Sequence, residues 1–157
     1  MIGAIIGDIV GSIYEFDNIT TKAFPFFSKE KEFADDSILT LATAEWMLRG
    51  GNPADYYHKY AQTYPYPMGS YGSMFISWIH LASRGIMKPY NSCGNGSAMR
   101  VAPVGWGAIR WKKRFRPQNF LQNAHIITQK GLKGRKLQPC VYSWRAKVLL
   151  LLKSVRL

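Results

Sequence analysis

The acidic residues stop early. All 9 Asp and Glu of this 157-residue chain lie between Asp8 and Asp55, whereas its 21 Lys and Arg run on to Arg156. Residues 1–106 carry 8 basic and 9 acidic side chains, a net charge of −1. Residues 107–157 carry 13 basic and no acidic side chains, a net charge of +13. Two sequences of different character are joined near Trp106. The expected division is residues 1–106 as one unit and 107–157 as a basic tail. A net charge of +12 taken alone would point to a nucleic-acid partner. Its confinement to the tail argues against that partner for the first 106 residues.

The length fits one domain with a sizeable core. Apolar residues make up 47% and aromatic residues 14%, too many for a disordered chain. Two cysteines, Cys93 and Cys140, do not make a disulfide framework. The N-terminus has no basic leader, and Asp8 interrupts its apolar run. Val148–Leu152 falls far short of the roughly 20 apolar residues that span a bilayer. The expected setting is the cytoplasm, with no membrane partner.

The pattern along the chain is helical. Gly3, Gly7 and Gly11 fall at i, i+4 and i+8. On a helix they form one smooth stripe, which predicts the close approach of a neighbouring helix. Each glycine costs about 1 kcal/mol against alanine inside a helix, so three of them need a reason. Residues 17–34 read as a loop. A helix is predicted from Asp35-Asp36-Ser37 through Ile38, Leu39, Leu41, Ala42, Trp46 and Met47, stopping at Gly50 and Gly51. Asn52 and Pro53 open a second helix, to about Tyr64. After a Pro/Gly turn at Tyr64–Tyr71, a third covers Ser73–Ser83. Pro89–Ser97 is a glycine loop, followed by a short helix at Ala98–Val101. No strand is predicted before residue 107, so the fold class is all-α.

Several residue groups can carry chemistry, and each has a plainer use. Asp35 and Asp36 can ligate a hard cation through oxygen, or simply cap the helix they open. Asn91–Ser97 can cradle a phosphate on backbone N–H groups, or be an ordinary glycine loop. Glu15 can be a general base or a metal ligand, or a solvated charge at a helix end. His58 and His80 have no partner at metal-ligand spacing and read as surface or core histidines. The aromatics of Tyr64–Gly72 can pack on a ligand or on the core.

Four strings taken in order resemble the ADP-ribosylglycohydrolase family, which includes the dinitrogenase reductase-activating glycohydrolases. They are Gly7-Asp-Ile-Val-Gly-Ser-Ile-Tyr-Glu15, Phe33-Ala-Asp-Asp-Ser-Ile-Leu-Thr40, Tyr66-Pro-Met-Gly-Ser-Tyr-Gly72 and Gly94-Asn-Gly-Ser-Ala-Met-Arg100. The resemblance covers about residues 1–106. It implies an all-α fold around a cleft with two Mg²⁺ ions, or Mn²⁺ in some members. It implies hydrolysis of the glycosidic bond of ADP-ribosylated proteins or small ADP-ribosyl compounds. Asp35 and Asp36 match metal ligands, and Glu15 matches a glutamate beside the metals that gates or activates the site. Gly69 and Gly72 match glycines lining the cleft. Ser92, Gly94, Asn95 and Gly96 match the segment that holds the diphosphate and distal ribose. Ala34 departs from the family's Thr/Ser-Asp-Asp-Thr pattern by lacking a hydroxyl. The family's second metal motif, Asp-x-Asp-Ser/Thr, has no counterpart, since no acid follows Asp55.

The tail has the character of a shifted reading frame. Read one base earlier, the codons of Trp111 and Lys112 force a glutamate. Those of His125–Gly131 permit Thr-His-Asn-His-Pro-Glu-Gly, which resembles the family's next motif. The expectation is therefore a truncated, inactive hydrolase fragment with a frameshifted end. Two alternatives stand beside it: a non-catalytic ADP-ribose binder, and a nucleic-acid binder acting through residues 107–157.

Overall fold

The computed structural model describes residues 1–90 and 96–110, and its regular elements are all helical. Helix α1 spans Ile2–Gly11 and runs into a 3₁₀ turn at Ser12–Tyr14. Then come α2 (Asp35–Arg49), α3 (Pro53–Thr63), α4 (Ser73–Ala82), α5 (Gly96–Met99) and α6 (Ala102–Arg110). Among the described residues the β-structure is a single parallel bridge between Ala34 and Met68.

Helix α2 is central among the described helices. It packs on α3, on α6 and on α1, so it buries more than one narrow stripe. Ile38, Leu39, Ala42 and Trp46 are buried, and so are Thr40 and Thr43. Leu41, which the periodicity assigned to the apolar face, is exposed. The buried threonines are tolerated because their hydroxyls are satisfied. Thr43 Oγ1 donates to the Leu39 carbonyl at 2.8 Å and so accepts from the Tyr57 hydroxyl at 3.0 Å. Gly50, at φ 79°, ends α2 where its N–H meets the Trp46 carbonyl at 2.7 Å.

The neighbouring helices start and stop on local chemistry. Asn52 Oδ1 accepts from the Ala54 N–H at 3.2 Å, with Pro53 at the first helical position. Ala54, Tyr57 and Ala61, at i, i+3 and i+7, face α2. Helix α4 adds Phe75, Trp78 and Ala82 to the same core. It ends in a pair of bonds, Gly85 N–H to Ala82 carbonyl at 2.9 Å and Ile86 N–H to Leu81 carbonyl at 3.0 Å. That is the Schellman arrangement, with Gly85 at φ 79°. Leu39 is 1% exposed, and its burial contributes about 2 kcal/mol.

Two differences from the sequence-based expectation concern boundaries. The short helix α5 begins two residues before the predicted Ala98. Helix α6 continues through Trp106, the point where the charge pattern changes, to Arg110.

Candidate active site

A cleft of about 350 Å³ opens along one face of α1. Positions 4, 8, 11 and 15 share a helical face, with 7 and 12 at its margins. Ala4, Gly7, Asp8, Gly11, Ser12 and Glu15 make one wall. Asp36 and Thr40 of α2 and Met99 of α5 make the other. The wall from α1 is therefore built of small residues and two carboxylates.

Among the described residues no helix packs on the glycine stripe, contrary to what its spacing predicted. A Cβ built on Gly3, Gly7 or Gly11 meets no described atom within 4 Å. Gly7 and Gly11 border the cleft, and what their lost side chains leave is space. Sequence spacing shows that a face is smooth; it does not show whether another helix covers it.

Asp8 ties the two walls of the site together. Its Oδ2 accepts from the Ala34 N–H at 2.9 Å, the Ser37 N–H at 3.2 Å and the Ser37 hydroxyl at 2.5 Å. Ala34, the N-cap residue of α2, provides no side-chain cap of its own. A helix start leaves N–H groups without intrahelical partners, and its positive dipole end favours an anion. Asp8, on another helix, meets both needs.

The carboxylates act on one another. Burial pushes Asp35 up to about 7, and the charges of Asp36, Glu15 and Asp8 add to the rise. Burial pushes Asp36 up to about 6, with Asp8 and Glu15 adding. Holding these groups ionised at neutral pH is costly, and a cation among them would offset that cost.

The turn before α4 passes close to Glu15. The Met68 N–H donates to the Phe33 carbonyl at 3.3 Å, which ties this turn to the strand-like residues ahead of α2. Gly69 follows at φ 74°. A Cβ there would lie 2.9 Å from Glu15 Oε2 and 3.1 Å from the Phe16 ring. The left-handed backbone favours glycine, and a Cβ there would make the Glu15 carboxylate shift.

The structure thus brings Glu15, Asp36 and Gly69 together, with Asp35 near enough to feel the Glu15 and Asp36 charges. Gly72 stands apart from the cleft wall and begins α4, its carbonyl accepting from Phe75 and Ile76 at 2.9 and 3.0 Å. Gly96 begins α5, and Arg100 Nη1 lies 4.0 Å from where its Cβ would be. Ser92, Gly94 and Asn95 lie outside the described residues, as does the tail beyond Arg110.

The donors suit a hard divalent ion in kind, since all are carboxylate oxygens. They do not form a full cage: among the described residues no group of three or more His, Cys, Asp or Glu could hold a metal ion. A pair of carboxylates fits the way Mg²⁺ is held, through one or two of them with water and substrate oxygens completing the shell.

The plainer readings hold elsewhere. Ser83 Oγ donates to the Ile79 carbonyl at 3.0 Å, so it accepts from His58 Nε2 at 2.9 Å and is no activated nucleophile. His80 is exposed. Tyr71 is buried against Phe75 and donates to the Tyr64 carbonyl at 2.8 Å.

Two residues of structural weight were missed from sequence. One is Asp8, which lies two helical turns from Glu15 on the same face, a spacing that could have revealed it. The other is Lys31. Its buried ammonium donates to the carbonyls of Val10 at 2.9 Å and Pro25 at 2.7 Å, 4.7 Å from the Tyr14 ring centre. That contact pins the loop to the negative end of α1.

Fold and site together define an all-helical protein with a carboxylate-lined cleft between its first two long helices. The family model for ADP-ribosylglycohydrolase matches residues 1–130 of the chain, which therefore belongs to that family. The match runs past Trp106, beyond the 1–106 span of the resemblance drawn from motifs. Searches among curated proteins and solved structures give no match. Among the described residues no helix is long and apolar enough to cross a membrane.

Proposed function

We propose that the cleft binds a divalent cation, Mg²⁺ or Mn²⁺, together with an ADP-ribosyl compound, and forms one side of a glycosidase-type hydrolytic site. The observation that carries this reading is the convergence of Asp8, Glu15 and Asp36 on one cleft, with Asp35 beside Asp36 at the start of α2. Burial and like charge raise both Asp35 and Asp36 there.

Asp35 and Asp36 are the residues that would hold the ion. When bound, it supplies charge to orient ribose hydroxyls and polarise water. Glu15, on the opposite wall and beside Gly69, would accept the proton of the attacking water as the oxocarbenium-like sugar carbon collapses. Gly7 and Gly11 leave the room that a ribose needs. Gly96 and the residues ahead of it are assigned to the diphosphate, which suits backbone N–H groups.

The substrate class is an ADP-ribosylated protein or a small ADP-ribosyl compound. No acid follows Asp55, so every carboxylate at the cleft comes from the first 55 residues and a second metal motif is lacking. We therefore assign the isolated chain binding without efficient turnover. Calorimetry of the full chain with ADP-ribose, with and without Mg²⁺, tests this, alongside an assay for ADP-ribose release. Binding that strengthens with Mg²⁺, with no release, is the expected result. Binding indifferent to Mg²⁺ would make the protein a non-catalytic ADP-ribose binder, and no binding at all would refute both readings.

A further inference from the structure

We propose that Asp8 is a positioning residue: its carboxylate clamps the first turn of α2 to α1 and so holds Asp36 at the cleft, with Asp35 beside it. This rests on the divalent-cation reading above.

The geometry makes Oδ2 a clamp and leaves ligation through Oδ1 to be separated by the test. One oxygen, Oδ2, receives three donors: the Ala34 N–H at 2.9 Å, the Ser37 N–H at 3.2 Å and the Ser37 hydroxyl at 2.5 Å. A carboxylate oxygen offers about two lone-pair sites, so Oδ2 is saturated. The two clamped residues, Ala34 and Ser37, stand immediately before and after Asp35 and Asp36. Fixing both brackets fixes the carboxylates between them.

The clamp is also a tertiary tie. An ordinary N-cap is the residue that opens its own helix. Here the acceptor comes from 26 and 29 residues upstream, on the helix that leads into Glu15. Ala34 has no hydroxyl or carboxyl with which to replace it. Asp8 thereby sets the separation of the two walls as well as the start of α2. Groups that orient metal ligands in this way typically change metal affinity about 10- to 100-fold when removed.

The test compares the full chain with Asp8→Asn, Asp8→Ala and Asn52→Ala. Asn keeps an acceptor oxygen in place and loses the charge. Asn52→Ala removes the cap of α3, bonded at 3.2 Å to Ala54 and away from the cleft. Two readings are taken: Mn²⁺ affinity by electron paramagnetic resonance, and hydrogen exchange of the Ala34 and Ser37 amides. The expected result is a loss of about 10-fold or more in Mn²⁺ affinity for Asp8→Ala, with faster exchange at both amides. Asp8→Asn should stay within about 3-fold of wild type with both amides protected, the conservative rescue expected when acceptor geometry is retained. Asn52→Ala should leave Mn²⁺ affinity unchanged.

If Asp8→Asn loses affinity as Asp8→Ala does, Asp8 acts by charge or ligation, and the positioning role is overturned. The role is equally overturned if the Asp8→Ala amides stay protected. If the wild type binds no Mn²⁺ while its amides still open only in Asp8→Ala, the clamp stands and the cation reading fails. Should Asp8→Ala not fold, Asp8→Asn decides alone: protected amides with near-wild-type affinity uphold the role, and loss of either overturns it.

Discussion

Replacing Asp35 by Asn should make the metal-free protein more stable. Asp35 rises from 3.8 in the unfolded chain to about 7 in the fold, first by burial and then by the Asp36, Glu15 and Asp8 charges. At about 1.4 kcal/mol per pH unit, a rise of about three units corresponds to roughly 4 kcal/mol against the ionised fold. The side chain is partly open to water, and solvent screening reduces the usable figure to about 1–2 kcal/mol. The direction with pH follows from linkage. The folded state holds this proton more tightly than the unfolded one, so stability falls as pH rises between about 4 and 7 and levels off above. Asp36 adds a share that ends at about 6. Urea unfolding at pH 5 and pH 8 measures both effects. Asp35→Asn should exceed wild type by about 1–2 kcal/mol at pH 8, with little difference at low pH. Added Mg²⁺ should stabilise wild type by mass action and leave the variant unmoved. A variant less stable than wild type at pH 8 without metal would refute the claim that burial, with like charge added, penalises ionised Asp35.

Three further outcomes follow. Gly69→Ala should cost about 1–2 kcal/mol from its left-handed backbone alone, read in urea unfolding, and should weaken ADP-ribose binding by displacing Glu15. Gly7→Ala and Gly11→Ala should raise stability by up to about 1 kcal/mol each, because the new methyl meets no described atom and the helix gains propensity. Calorimetry should show weaker ADP-ribose binding for both, and a loss of stability would mean that the stripe is packed after all. Sequencing the gene around codon 106 should reveal an Asp-x-Asp-Ser/Thr motif in the shifted downstream frame, and its absence there would contradict the frameshift.

The legible parts of this fold are those whose causes are local. Asn52-Pro53 announces α3, and Gly50 ends α2, because each cap lies within a residue or two of what it satisfies. The pair Asp35-Asp36 marks a helix start for the same reason. The bonds of Asp8 and the Lys31 bond to Val10 were not legible, because those partners lie 26 to 29 and 21 residues away; only the place of Asp8 on the Glu15 face could be read from spacing. The same distance explains why Asp35 and Asp36 read as possible caps: the real cap sits on a different helix. The glycine stripe misled for a related reason, since an open face and a packed one have the same spacing. Helix α6 was obscured by the compositional change at Trp106, which has no effect on local helix geometry up to Arg110.

The central claim is that the carboxylates between α1 and α2 form a divalent-cation site. Electron paramagnetic resonance of Mn²⁺ titrated into the full chain and into Asp36→Asn tests it most directly. Bound Mn²⁺ in the wild type, displaced by Mg²⁺ and lost in Asp36→Asn, is the predicted result. Binding that survives Asp36→Asn unchanged, or no binding to the wild type, would contradict it.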